Sequence, residues 1–111
     1  MEIRENKNVF IITPLCRNLT KRDFERIFDK ALKETRQVAI DLNYVTDCSI
    51  EFIESLKELA NNITLGIFNI PSDIFVLFNI MHLDKCANLF VSELDFEENS
   101  RQIINRNFSV V

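Results

Sequence analysis

Short apolar runs alternate along the chain with stretches in which apolar residues recur every three or four positions. Val9-Phe10-Ile11-Ile12, Val38-Ala39-Ile40-Asp41-Leu42 and Ile63 to Ile70 are nearly continuous apolar runs. They read as strands buried on both faces. Between the first two, Phe24, Ile27, Phe28, Ala31 and Leu32 fall at i, i+3, i+4, i+7 and i+8, which is one stripe of a helix. Phe52, Ile53, Leu56, Leu59 and Ala60 mark a second helical face over about Ser49 to Ala60.

The polar residues between these runs supply the punctuation. Thr20-Lys21-Arg22-Asp23 has capping-box spacing, in which each side chain satisfies a backbone donor of the first turn. Asn61-Asn62 ends the second helix, because Asn tolerates the left-handed C-terminal position. Pro71-Ser72-Asp73 opens a third helix to about Met81, with Ser72 as its cap. Leu89-Phe90-Val91 reads as a last strand and Asp95 to about Ile104 as a closing helix, while Phe108 to Val111 has no assigned packing. Glu2 to Glu5 pairs with the first core strand as an edge. The order β(β)αβαβαβα implies βαβ crossovers. The expectation is one α/β domain over residues 1–111. Its mainly parallel sheet has four to five strands and an antiparallel edge, covered by about four helices.

Composition narrows the function. The 111 residues suffice for one core, and 47% are hydrophobic. The single glycine, Gly66, excludes glycine-rich phosphate loops. A net charge of −4 with no basic block disfavours nucleic acid as a partner. Cys16, Cys48 and Cys86 are far apart and His82 is the one histidine, so no zinc pattern exists. No metal, cofactor or catalytic set is expected: a nucleophile with its base, or paired carboxylates at a recognised spacing, is not visible. The charged start of the chain is not a signal peptide. The longest apolar run, Ile74 to Met81, falls short of the roughly 20 residues of a membrane span. The expectation is a soluble, cytoplasmic protein that does not insert into a membrane.

Two features carry candidate chemistry. The first is the junction Asp47-Cys48-Ser49-Ile50, where a strand gives way to a helix. Ser49 there is either an N-cap or a phosphoacceptor, since a helix N-terminus favours negative charge. Asp47 is either an organiser of the loop or an Asx-turn acid. Cys48 is a buried filler or, as a thiol near a helix N-terminus, a redox-sensitive group. The second is the third helix, where Ile74 to Phe78 cover more than one face. Phe75, Phe78 and Met81 are candidate partner contacts. Homodimerisation would satisfy the same physics, as would a closing segment that folds over the helix with Phe96, Ile103, Ile104 and Phe108. His82 reads as a helix-end residue.

The element order, the strand ending in Asp41-Leu42, the loop Asp47-Cys48-Ser49-Ile50 and the later His82-Leu83-Asp84-Lys85 together resemble the STAS domain family of sulphate transporters and anti-sigma factor antagonists. The family's loop reads Asp-Ser/Thr-Ser/Thr-Gly, and a Gly-Leu-Asp-Lys precedes its last strand. The resemblance implies a STAS-like sandwich and a regulatory protein-interaction module that binds an anti-sigma factor acting as a serine kinase. By position Ser49 is the phosphoacceptor, and phosphorylation breaks the complex. The resemblance equally allows a phosphorylation-independent adaptor or scaffold subunit of a lipid-transport or stress-signalling assembly. The family's glycines are replaced here, at Arg17-Asn18-Leu19, at Ile50, at Asn61-Asn62 and at His82. A β-branched Ile50 would be strained at positive φ. A helix beginning one residue earlier would remove that strain and bury more of the loop.

Overall fold

The computed structural model describes residues 1–6, 9–31, 33 and 37–99. In chain order the elements are β1 (Glu2–Asn6), β2 (Val9–Thr13), β3 (Asn18–Leu19), α1 (Lys21–Ala31), β4 (Gln37–Asp41), β5 (Asp47–Cys48) and α2 (Ile50–Ala60). They continue as β6 (Leu65–Phe68), α3 (Ser72–Ile80), a 3-10 turn at Leu83–Lys85, β7 (Asn88–Leu89) and α4 (Glu93–Asn99).

The main sheet has the order β1-β2-β4-β6-β7. β1 runs antiparallel to β2, with Glu2 opposite Thr13 and Asn6 opposite Val9. The other neighbours are parallel, with Ile12 beside Ile40, Ile40 beside Ile67, and Ile67 beside Leu89. The protein is thus α/β, with a mixed, mostly parallel sheet and an antiparallel edge. The crossovers through α1, α2 and α3 each step one strand onward in the same direction. Right-handed connections of that kind place all their helices on one face.

The core divides along this plan, because alternate strand residues point to opposite faces. Ile12, Val38, Ile40, Leu65 and Ile67 pack with Phe24 and Ile27 of α1, with Phe52, Ile53, Leu56 and Leu59 of α2, and with Ile74 and Phe78 of α3. Phe24 and Phe52 meet edge to face at 5.9 Å. On the second face Val9, Ile11, Ala39, Phe68 and Phe90 pack with Phe96 of α4. Phe96 stacks on Phe68 at 5.3 Å and meets Phe90 edge-on at 5.5 Å. Gly66 lies beneath this ring.

Several expected boundaries shift for local reasons. Asp23 accepts both the Thr20 N–H and the Thr20 hydroxyl, in place of a reciprocal box. Asn61 is right-handed at φ −76°, and the helix end is closed by the Asn62 side-chain amide, which donates to the Glu58 carbonyl. Ser72 is the first helical residue and Pro71 occupies the cap, without a side-chain bond. The last strand is Asn88–Leu89 rather than Leu89 to Val91. α4 starts at Glu93 because the Asp95 N–H donates to Ser92 Oγ, which makes Ser92 the cap. Phe96 points to the sheet face opposite α3, so it does not cover that helix. Ile103, Ile104 and Phe108, offered as further cover, lie outside the described residues, as do Leu32 and the 108–111 tail.

Candidate functional site

The segment from Leu42 to Ile50 leaves the C-terminal end of β4 and enters α2. It is tied down at three places. At its start, the Asn43 N–H donates to Asp41 Oδ1 at 2.9 Å, and the Val45 N–H to the Leu42 carbonyl at 3.0 Å. In its middle, the Thr46 and Asp47 N–H groups share the Arg17 carbonyl, at 2.8 and 3.0 Å. Toward its end, the Ser49 N–H donates to the Leu19 carbonyl at 2.8 Å. The last two ties make β3 and β5 a small parallel sheet of their own, with Leu19 beside Cys48. Neither strand was visible in the sequence, because a two-residue strand has no periodicity to detect.

Ser49 caps α2. Its backbone is extended, at φ −76° and ψ 157°, and its Oγ accepts the Phe52 N–H at 3.1 Å. The Ile53 N–H donates to the Ser49 carbonyl at 3.3 Å. The N–H groups of Ile50 and Glu51 are the remaining donors of the first turn. Ser49 is half-buried, between exposed Asp47 and exposed Glu51. The helix dipole there favours negative charge and the two carboxylates oppose it.

Ile50 is the first helical residue. Among the described residues, those other than glycine with positive φ are Asn69 and His82, so Ile50 carries no left-handed strain. Nor does it close over the loop: its side chain is 53% exposed. Asp47 is exposed, and its Oδ1 accepts the Cys48 N–H at 2.9 Å. Cys48 is buried, and burial, then the Asp47 carboxylate, pushes its thiol up to about 11. A thiolate is therefore disfavoured, the reverse of what proximity to a helix N-terminus suggests.

A polar cluster beside this loop was missed by sequence reasoning. Asp41, at the end of β4, is 6% exposed. Its Oδ1 accepts from Asn43 N–H and from Asn69 Nδ2, each at 2.9 Å. Its Oδ2 accepts from the Thr13 hydroxyl at 3.4 Å and faces the Arg4 guanidinium at 3.5 Å. Arg4 in turn grips Glu93 with both nitrogens, at 2.7 and 2.6 Å. The Arg4 hydrogen bond holds the Glu93 carboxyl below its ordinary value. An acid closing an otherwise apolar strand was the available signal for Asp41. Nothing local pointed to Arg4 or Glu93, which are far apart in the chain.

Of the proposed partner contacts, Phe78 is fully buried in the core and offers no surface. Met81 is half-buried, and Phe75 is 36% exposed. Val76 and Ile80, not singled out from the sequence, are the more exposed of the large apolar residues of α3. His82 adopts the left-handed conformation, at φ 63°, where the helix turns into the 3-10 segment. Cys16 is half-buried, and burial chiefly raises its thiol.

A surface cavity of about 160 Å³ is lined by Met1, Pro14, Leu15, Cys16, Asp23, Arg26 and Ile27. It does not include the Ser49 loop, and it is smaller than the ~300 Å³ at which small-molecule sites begin. The sheet order also lacks a point where successive crossovers diverge, which is where ligands bind in open α/β sheets. Among the described residues no group of three His, Cys, Asp or Glu side chains is placed to hold a metal ion. No helix among them is long and apolar enough to cross a membrane. No family model matches the chain, and no curated protein matches it.

Proposed function

We propose that the protein is a small STAS-like regulatory module that acts by binding another protein, with the Asp47–Ile50 loop as a contact whose charge is read by the partner. The partner resembles an anti-sigma factor or a related serine kinase, and Ser49 is the phosphoacceptor. The placement of Ser49 carries this reading. It stands at the mouth of α2, on a loop held at both ends by backbone bonds, so a change of charge there meets a fixed surface rather than a mobile one. A phosphate brings roughly −1.5 to −2 charges. Seated in an interface without a paired cation, that charge is costly enough to separate the partners.

A second reading has its own support. Asp47 and Glu51 flank Ser49, the Ser49 Oγ is engaged as a cap, and Ile50 is exposed beside it. These features suit a constitutive adaptor or scaffold subunit in which Ser49 only begins the helix.

Capture from lysate of the native cell with wild type, Ser49→Ala and Ser49→Asp, read by mass spectrometry, separates the two. The switch reading expects an ATP-binding kinase captured by wild type and Ser49→Ala and lost with Ser49→Asp. It also expects a phosphoryl group on Ser49 in protein recovered from the cell. Capture of one transport or scaffold protein by all three, with Ser49 unmodified, supports the adaptor reading and ends the switch reading.

A further inference from the structure

The helices α1 and α2 start side by side. β3 and β5 run parallel, with Leu19 beside Cys48, and the Ser49 N–H donates to the Leu19 carbonyl at 2.8 Å. The residues that follow, Thr20 and Ser49, each precede the first residue of a helix, Lys21 in α1 and Ile50 in α2. One turn further on, the two helices touch through Phe24 and Phe52, edge to face at 5.9 Å. Lys21 stands three residues before Phe24 and Ser49 three before Phe52. Residues three apart are neighbours on one helix face, so each lies one turn before that contact, over the phenylalanine of its own helix. The Phe52 N–H donates to Ser49 Oγ at 3.1 Å, which fixes Ser49 in that place. Lys21 is exposed, and it has no ion pair among the described residues.

We propose that Lys21 is the counter-cation of Ser49, its ammonium pairing with the phosphoryl group across the α1–α2 seam once Ser49 is modified. This rests on the reading of Ser49 as a phosphoacceptor. In that reaction Ser49 Oγ gains the γ-phosphoryl group of ATP, ADP leaves and the hydroxyl proton passes to solvent. The new dianion meets exposed Asp47 and Glu51 on its own segment, and both oppose it. The elements packed around it offer little else. α3 brings Asp73, a further acid, and the 3-10 turn against α2 brings Asp84 and Lys85. Within α1, Asp23 is engaged by Thr20, and Arg22, two residues from Phe24, lies on another side of the helix. Arg17 stands three residues before Thr20, where its carbonyl accepts from Thr46 and Asp47. Lys21 is thus the cation that the seam itself supplies. One ammonium balances about half of the phosphate charge, so a partner still meets a net negative surface. Pairing also withdraws a cation that a partner finds free in the unmodified protein.

The test installs phosphoserine at position 49 of the whole chain during synthesis and follows its second ionisation by phosphorus NMR against pH. That ionisation ordinarily falls at about pH 6. Lys21→Gln is expected to move its midpoint up by about half a pH unit, a threefold change in proton affinity. Lys21→Arg should hold the midpoint where lysine sets it, and Lys85→Gln should leave it unchanged. Lys21 is exposed, so its replacement leaves the fold intact. A midpoint indifferent to Lys21→Gln overturns the proposal, and so does one that Lys85→Gln moves equally. Because the phosphate is installed and not transferred in the cell, the two readings fail separately. Ser49 found unmodified in cells ends the switch reading, whereas an unmoved midpoint ends the pairing with Lys21 alone.

Discussion

The ring of Phe96 occupies the space that a side chain at Gly66 would need. A β-carbon built on Gly66 would stand 2.7 Å from Cε1 and 3.2 Å from Cδ1 of that ring. The glycine is required by this close approach, since its own φ is not positive. The ring has little room to yield, because it is 2% exposed and held between Phe68 and Phe90. Gly66→Ala is therefore expected to destabilise the protein by about 1–3 kcal/mol through overpacking. Chemical denaturation measures it. Adding Phe96→Leu should return part of the loss, and a double variant less stable than the sum of the singles would contradict the account.

α4 is also held at its N-terminus, by Arg4 on Glu93. The Glu93 carboxyl sits below its ordinary value of 4.5, chiefly through the Arg4 hydrogen bond. Since the folded value is lower than the unfolded one, the pair stabilises the fold above pH 4.5 and stops doing so as pH falls through the depressed value. Both side chains are partly solvated, so the contribution is at most about 1 kcal/mol and shrinks with salt. In thermal melts against pH, Glu93→Gln should lie below wild type near neutrality and meet it in acid. A gap of constant size at every pH would show that the pair is not its cause.

Asn69 does two separable things. It adopts φ 56°, and its side-chain amide holds Asp41 Oδ1. Asn69→Gly keeps the backbone conformation and removes only the bond, whereas Asn69→Ala removes both. The alanine variant is expected to be about 1 kcal/mol less stable than the glycine variant. Equal stabilities would mean that the left-handed backbone relaxes when the amide is gone.

Cys48 should be the slow thiol. Its side chain is buried and its thiol is pushed up to about 11, so little thiolate is present or reachable near neutrality. Alkylation followed by mass spectrometry is expected to modify half-buried Cys16 and Cys86 first, and Cys48 only on unfolding. Early labelling of Cys48 in the native protein would require the β5 segment to open on its own.

Periodicity found the elements whose burial is one-sided and regular. Phe24 and Ile27 of the α1 stripe, the buried stripe of α2 and the three apolar runs stand where the structure has them, and the antiparallel edge followed from the short charged segment before Val9. What escaped was decided by partners distant in the chain. Phe78 looked like a surface residue because its neighbours are all apolar, and periodicity is silent when every position scores alike. Only the angle at which α3 lies on the sheet buries Ile74 and Phe78 and leaves Val76 and Ile80 outside. In the candidate site, Ser49 as a cap was readable from its place before a helical stripe. The pinning of its loop by Arg17 and Leu19 carbonyls was not, because backbone acceptors leave no mark on residue identity. Ile50 shows a related limit: its conformation followed from where the helix begins, not from what usually occupies that position.

Because all three crossovers advance in one direction, the sheet has a thick side and a thin one. Three helices insulate the first, while in the described chain the second has the seven residues of α4. Protection from solvent exchange should be distributed as unevenly as that cover. Amides of β6 share hydrogen bonds with β4 and β7, yet Phe68 rests under a single ring. Hydrogen exchange is therefore expected to enter the strand amides from the α4 side first, and amides of β2, β4 and β6 that exchange no faster when Phe96 is replaced by Ala would contradict this.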